Sequence, residues 1–133
     1  MLVTRNLYQS ATDKLPSDAK SNYEIAIRQS KKVLLRHSKS RWVDDAIYLM
    51  GASYYGLGEY DSSLTSVRLL MSRFPKSEFR ADALFLTAMC YTKQREFGQA
   101  SAFFDSVLIR YPKYERRDQI LYTLAETASS RRD

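Results

Sequence analysis

The sequence predicts an all-α protein built as an α-solenoid of antiparallel helical hairpins, and three observations predict it. Shifted by 37 residues, the chain falls on itself: Arg73-Phe74-Pro75-Lys76 meets Arg110-Tyr111-Pro112-Lys113, Asp45-Ala46 meets Asp82-Ala83, and Tyr54 meets Tyr91. Inside each period the apolar residues recur at helical spacing rather than in the alternation of a strand. Only four glycines and three prolines interrupt 133 residues, as few breakers as a helical chain requires. A period of this length marks stacked helical hairpins, in which no unit buries its apolar face alone and each covers its neighbour.

The first unit is the least regular. Residues 3–15 form a weak leading helix with Leu7, Tyr8, Ala11 and Leu15 inward, broken by Pro16-Ser17-Asp18, where Ser17 or Asp18 supplies the next N-cap. A trailing helix follows from Ser21 to His37, with Tyr23, Ala26, Ile27, Val33 and Leu34 on its apolar face. The second unit leads with a helix over Arg41 to Tyr55 that stops at Gly56-Leu57-Gly58, residues that tolerate left-handed backbone. Asp61 then offers an N-cap oxygen to a trailing helix carrying Leu64, Val67, Leu70, Met71 and Phe74, which Pro75 ends. The third unit, Glu78 to Tyr114, repeats this plan, with Lys93-Gln94-Arg95-Glu96 as its turn. Residues 115–131 supply a last leading helix through Ile120, Leu121, Leu124 and Ala125. The expectation is one domain over 1–133, with repeats at approximately 3–40, 41–77 and 78–114 and a final helix, about seven helices in all.

Composition narrows the chemistry. Cys90 is the sole cysteine and His37 the sole histidine, which leaves neither a disulfide framework nor a zinc-ligand cluster. No nucleophile–base pair, phosphate loop or metal cluster is present, so the chain is expected to be a non-enzyme without catalytic residues or cofactors. Asp44, Asp45 and Asp82 open leading helices, where a carboxylate at the positive end of the dipole gains about 0.3–1 kcal/mol; that role suits them better than acid–base work. Cys90 sits on an apolar helix as a small hydrophobe, and His37 takes the helix-ending place of Phe74 and Tyr111. No apolar run reaches membrane-spanning length, and the first residues lack the apolar stretch of a secretory signal.

The formal charge of +6 belongs almost wholly to residues 1–40, which hold eight Lys and Arg against three Asp and Glu. Arg28, Lys31, Lys32 and Arg36 share one helix face there. A solvated surface is the plain reading of that face. Acidic protein, anionic lipid at a peripheral membrane contact, and RNA are the functional ones, with nucleic acid disfavoured because the charge is confined to a single unit.

The repeat resembles the tetratricopeptide repeat, a helix-turn-helix motif of small and large residues at fixed offsets. The matching positions are Ile47, Met50, Gly51, Tyr54, Ser63, Val67, Leu70 and Pro75, then Leu84, Thr87, Ala88, Tyr91, Ala100, Phe104, Val107 and Pro112. Small residues at Gly51, Ala88, Ser63 and Ala100 let paired helices approach, while Tyr54 and Tyr91 fill the wider gap; Thr87 and Ser63 depart from the usual choices. The period exceeds the usual length of about 34 residues. Its joint, Phe74-Pro75-Lys76-Ser77 followed by Arg80-Ala81-Asp82-Ala83, is similar to the bacterial envelope branch, that of the BamD outer-membrane assembly lipoproteins and the Tol-Pal coordinators, where an aromatic-Pro-x-Ser joint and an Asp-Ala pair recur.

That resemblance implies a right-handed α-solenoid serving as a protein-binding scaffold, whose leading helices line a concave groove for a partner segment. The residues expected there are Tyr48, Ala52, Tyr55, Phe85, Met89, Tyr122 and Glu126, with Asp45, Asp82, Thr92 and Gln119 beside them. Tyr48, Phe85 and Tyr122 fall in register and are expected to form an aromatic ladder facing the groove. Aromatic and aliphatic residues stand where a carboxylate clamp would need Lys and Asn. The implied setting is the bacterial periplasm or outer membrane, with envelope assembly or outer-membrane proteins as partners; a cytoplasmic adaptor and an RNA-binding helical repeat are the alternatives.

Overall fold

The structure, a computed structural model, describes residues 17–132. The leading helix expected at 3–15 lies outside them. The described residues form six helices and no strand: α1 Ser17–Arg36, α2 Val43–Gly56, α3 Tyr60–Arg73, α4 Arg80–Lys93, α5 Phe97–Arg110 and α6 Arg117–Arg132. α2 with α3 and α4 with α5 make two complete hairpins. α1 packs on α2 as a trailing helix, and α6 follows α5 as a leading one. No helix among the described residues is long and apolar enough to cross a membrane.

The period is written into the backbone angles. Trp42 (φ −93°, ψ 7°) and Phe79 (φ −90°, ψ 8°) enter the leading helices, and Glu59 (φ −92°, ψ 75°) and Glu96 (φ −92°, ψ 69°) enter the trailing ones. Phe74 (φ −131°, ψ 66°) and Tyr111 (φ −130°, ψ 67°) leave them, held out of helical geometry by the prolines that follow. The same joint closes all three units. Ser40 N–H donates to the His37 carbonyl, Ser77 N–H to Phe74 and Tyr114 N–H to Tyr111, at 2.8, 2.9 and 2.9 Å. Each hairpin turn needs one left-handed residue, and the chain supplies Gly58 (φ 81°) in one unit and Arg95 (φ 61°) in the next.

Helix entrances differ from expectation. No side-chain oxygen caps α2, α3, α4 or α5. Asp61 is not an N-cap, because Glu59 holds that place and Asp61 lies inside the first turn; its carboxylate instead accepts from the Gln94 amide at 2.8 Å. α1 already begins at Ser17, so Asp18 also acts from within the first turn, accepting the Ala19 N–H at 2.9 Å. Asp44, Asp45 and Asp82 do stand in first turns, and two of them are clasped by the joint of their own unit. The Ser77 hydroxyl donates to Asp44 at 2.7 Å, and the Tyr114 hydroxyl donates to Asp82 at 2.5 Å.

Packing follows the small-and-large pattern. The buried Ser63 hydroxyl donates to the Gly51 carbonyl at 2.7 Å, so the departure from alanine is satisfied by the helix it touches. A Cβ on Gly51 would sit 3.3 Å from Ser66 Cβ, which is why this crossing wants the smallest residue. Thr87 spends its hydroxyl on the Ala83 carbonyl at 2.8 Å. Tyr91 stacks on Phe103 with centroids 5.7 Å apart, and its hydroxyl accepts from Arg68 at 3.0 Å. Cys90 is fully buried, and burial pushes its thiol up to about 11, the state of an inert hydrophobe. His37 follows α1 directly and is exposed.

Candidate functional site

An open cavity of about 840 Å³ lies between the C-terminal half of α4 and α6. Its volume falls within the range of about 300–1,000 Å³ typical of ligand pockets. Met89 and Thr92 from α4 face Gln119, Tyr122, Glu126 and Thr127 from α6, while Lys93, Arg95 and Phe97 form the rim where α4 turns into α5.

The cavity exists because the third unit is emptier than the second. One period earlier, Tyr55 packs its ring against Tyr60 with centroids 5.5 Å apart; the equivalent pair is Thr92 and Phe97, so a ring is replaced by a hydroxyl and a methyl. Leu86 and Cys90 likewise give way to Thr123 and Thr127. α6 also rests more lightly on α5 than α4 does on α3. Missing side-chain volume and a looser last helix together open the space.

Its polar groups include both donors and acceptors. Thr92 donates its hydroxyl to the Ala88 carbonyl at 2.9 Å, and Thr123 donates to Gln119 at 2.9 Å. Both oxygens are thereby left as acceptors for a ligand N–H. Gln119, exposed, offers both a donor and an acceptor. Glu126 raises the pKa of the exposed Tyr122 phenol, by hydrogen bonding first and by its negative charge second. Arg95 lies over the Phe97 ring, 5.0 Å from its centroid, and places positive charge at the lip opposite Glu126.

The expected groove residues separate into three groups. Met89, Tyr122 and Glu126, with Thr92 and Gln119, come together in the cavity. Tyr48, Ala52 and Tyr55 are half-buried and pack against the core cluster around Ile47 and Leu86, outside the cavity. Phe85 is 4 % exposed and corrects the aromatic ladder: it is a core ring held between Phe104 (6.1 Å) and Tyr114 (5.9 Å). Tyr48 stacks on Phe79 at 5.4 Å, and Tyr122 alone of the three is exposed. Register places the three at equivalent positions, but each unit covers the ring of the one before it, which leaves only the last uncovered.

Sequence reasoning missed Lys93, Arg95, Phe97, Thr123 and Thr127. The first two fall in or beside the hairpin turn, and the last two occupy positions that are core in earlier units. The signal was the change from large to small at Thr92 and from apolar to hydroxyl at Thr123 and Thr127. Arg28, Lys31, Lys32 and Arg36 are all exposed on α1, at the opposite end of the described stack from the cavity. No metal-holding group of three or more His, Cys, Asp or Glu occurs among the described residues.

The tetratricopeptide repeat family model matches residues 45–77 and 82–114, two segments offset by the same 37 residues as the structural period. No curated protein matches the chain. The two complete hairpins are therefore tetratricopeptide repeats, units that serve generally as scaffolds for protein–protein interaction.

Proposed function

We propose that these two tetratricopeptide repeats and α6 form a scaffold that seats a partner's peptide segment in the cavity between α4 and α6. The observation that carries this reading is the exchange of Tyr55 for Thr92, which empties the inner face of one unit while keeping Met89, Phe97 and Tyr122 at its edges. An extended segment fits it. Apolar side chains would rest on Met89, Phe97 and Tyr122, backbone N–H groups would reach the Thr92 and Thr123 oxygens, and an acidic residue would lie toward Arg95.

The test is a peptide selected by display against the full chain, titrated by calorimetry into wild type and Gln119→Trp. Gln119 is exposed, so the ring fills the cavity without disturbing the core. Loss of binding in the variant is expected, and undiminished binding would move the site elsewhere.

The joint sequences support a setting in the bacterial envelope, with an outer-membrane assembly complex as the partner class. A cytoplasmic adaptor would use the same cavity in the same way. Expression of the full-length gene product with subcellular fractionation separates the two: recovery with the envelope supports the first, recovery in the cytosol the second. The basic face on α1 carries no aromatic platform of the kind that stacks bases, so it does not favour RNA.

A further inference from the structure

We propose that the chain docks head to tail with a second copy of itself, α6 of one copy taking beside α1 of the next the place that the repeat pattern gives to residues 3–15. This goes beyond the peptide-binding reading and shares with its cavity only Tyr122. Seven large apolar side chains remain exposed among the described residues, and four of them lie on the two ends of the stack: Trp42 (55 %) and Leu49 (48 %) at one, Leu121 (45 %) and Tyr122 (64 %) at the other.

The chain itself shows what covers these positions. Leu121 and Tyr122 stand where Ile47 and Tyr48 stand in the second unit, and Trp42 and Leu49 stand where Phe79 and Leu86 stand in the third. Inside the stack these sets meet. Ile47 and Leu86 share one core cluster, and Tyr48 lies flat on Phe79, 5.4 Å between centroids and 13° between planes. One unit later the same two positions are Phe85 and Arg116, with the guanidinium 5.3 Å from the ring centroid, so the contact recurs with different chemistry. Among the described residues no ring stacks on Trp42 or Tyr122, although the Arg41 guanidinium lies over the Trp42 ring, 4.5 Å from its centroid. A second copy, continuing the existing inter-unit interface, brings Tyr122 onto Trp42 and Leu121 into the cleft beside Leu49.

The receiving end carries an independent sign of an absent neighbour. Ser30, buried at the floor of the cleft lined by Val33, Trp42, Ala46 and Leu49, has a hydroxyl with no hydrogen-bond partner among the described residues. A buried unpaired hydroxyl is costly, and an incoming helix supplies a carbonyl acceptor as Gly51 does for Ser63. α1 offers Ala26 at the small-residue place of Ser63, opposite Ala125 at the place of Gly51. The two faces are different surfaces of one molecule, so the association is heterologous and grows as an open chain of copies.

The experiment is sedimentation velocity on the full chain over a wide concentration range, with Trp42→Glu and Leu121→Glu. Wild type is expected to grow with concentration, and each variant alone to stay monomeric, since each has lost one face. Their equimolar mixture should give a dimer and nothing larger, joined through the two intact faces. Trp42 is the only tryptophan, so dilution of wild type should also shift its emission to the red. Circular dichroism checks that each variant remains helical, with Trp42→Gln and Leu121→Gln in reserve if a glutamate unfolds the chain. Wild type monomeric throughout would overturn the proposal and assign the cleft to a segment of the same chain. So would a mixture that fails to dimerise, or a variant that still self-associates alone.

Discussion

The Tyr114 hydroxyl donates to Asp82 across 32 residues, tying the last residue of the third unit to the first turn of its leading helix at 2.5 Å. Burial first, and then this hydrogen bond, hold the phenol protonated well above its ordinary range. An unfolded tyrosine ionises near pH 10, so the contribution of the clasp is whole below that pH and declines above it, where only the unfolded chain can release the proton. Tyr114→Phe should cost about 1–2 kcal/mol at neutral pH by leaving a half-buried carboxylate unpaired. Urea denaturation at neutral and strongly alkaline pH checks both points: the loss of stability with rising pH should be smaller in the variant.

Arg95 occupies, at φ 61°, the turn position that Gly58 holds at φ 81°. Left-handed backbone costs a residue with a Cβ on the order of 1 kcal/mol, which the Arg95 contact with Phe97 repays only in part. Arg95→Gly should therefore raise stability by about 0.5 kcal/mol, whereas Gly58→Ala should lower it by about 1 kcal/mol. Urea midpoints of the pair measure whether the two turns obey one conformational rule.

Phe85→Ala should cost about 3–5 kcal/mol, the cavity penalty of a large buried ring. Tyr48→Ala removes a half-buried stacked ring and should cost about 1–3 kcal/mol. Thermal melts that rank the two in the opposite order would contradict the assignment of Phe85 to the core.

Cys90 should be unreactive toward a thiol reagent in the native chain and react once per molecule in denaturant, because it is fully buried with its thiol pushed up to about 11. The native reaction rate then reports opening of the core around Ser63 and Leu86.

The fold was legible because the period repeats its physical causes together. Pro75 and Pro112 stop helices, Gly51 and Ala88 admit close crossings, and apolar spacing sets the faces, so each signal confirms the others. The caps were not legible: Asp61 fits the usual composition of an N-cap, but the helix starts two residues earlier, with the Glu59 carbonyl accepting from the Ser63 N–H at 3.0 Å. The site was half legible. Register alone put Tyr48, Phe85 and Tyr122 in equivalent positions, but whether a ring is covered depends on what the next unit brings. Phe79 covers Tyr48, and Arg116 reaches the face of Phe85. Nothing local to Phe85 reveals that.

The central claim, that a partner segment lies between α4 and α6, is tested most directly by mapping amide chemical shifts of the labelled chain as a display-selected peptide is added. The account predicts that the largest changes fall on Met89, Thr92, Gln119, Tyr122 and Thr127, with α1 and α3 unmoved. Changes centred on α1, or on the outer faces of α3 and α5 with the cavity residues silent, would contradict it.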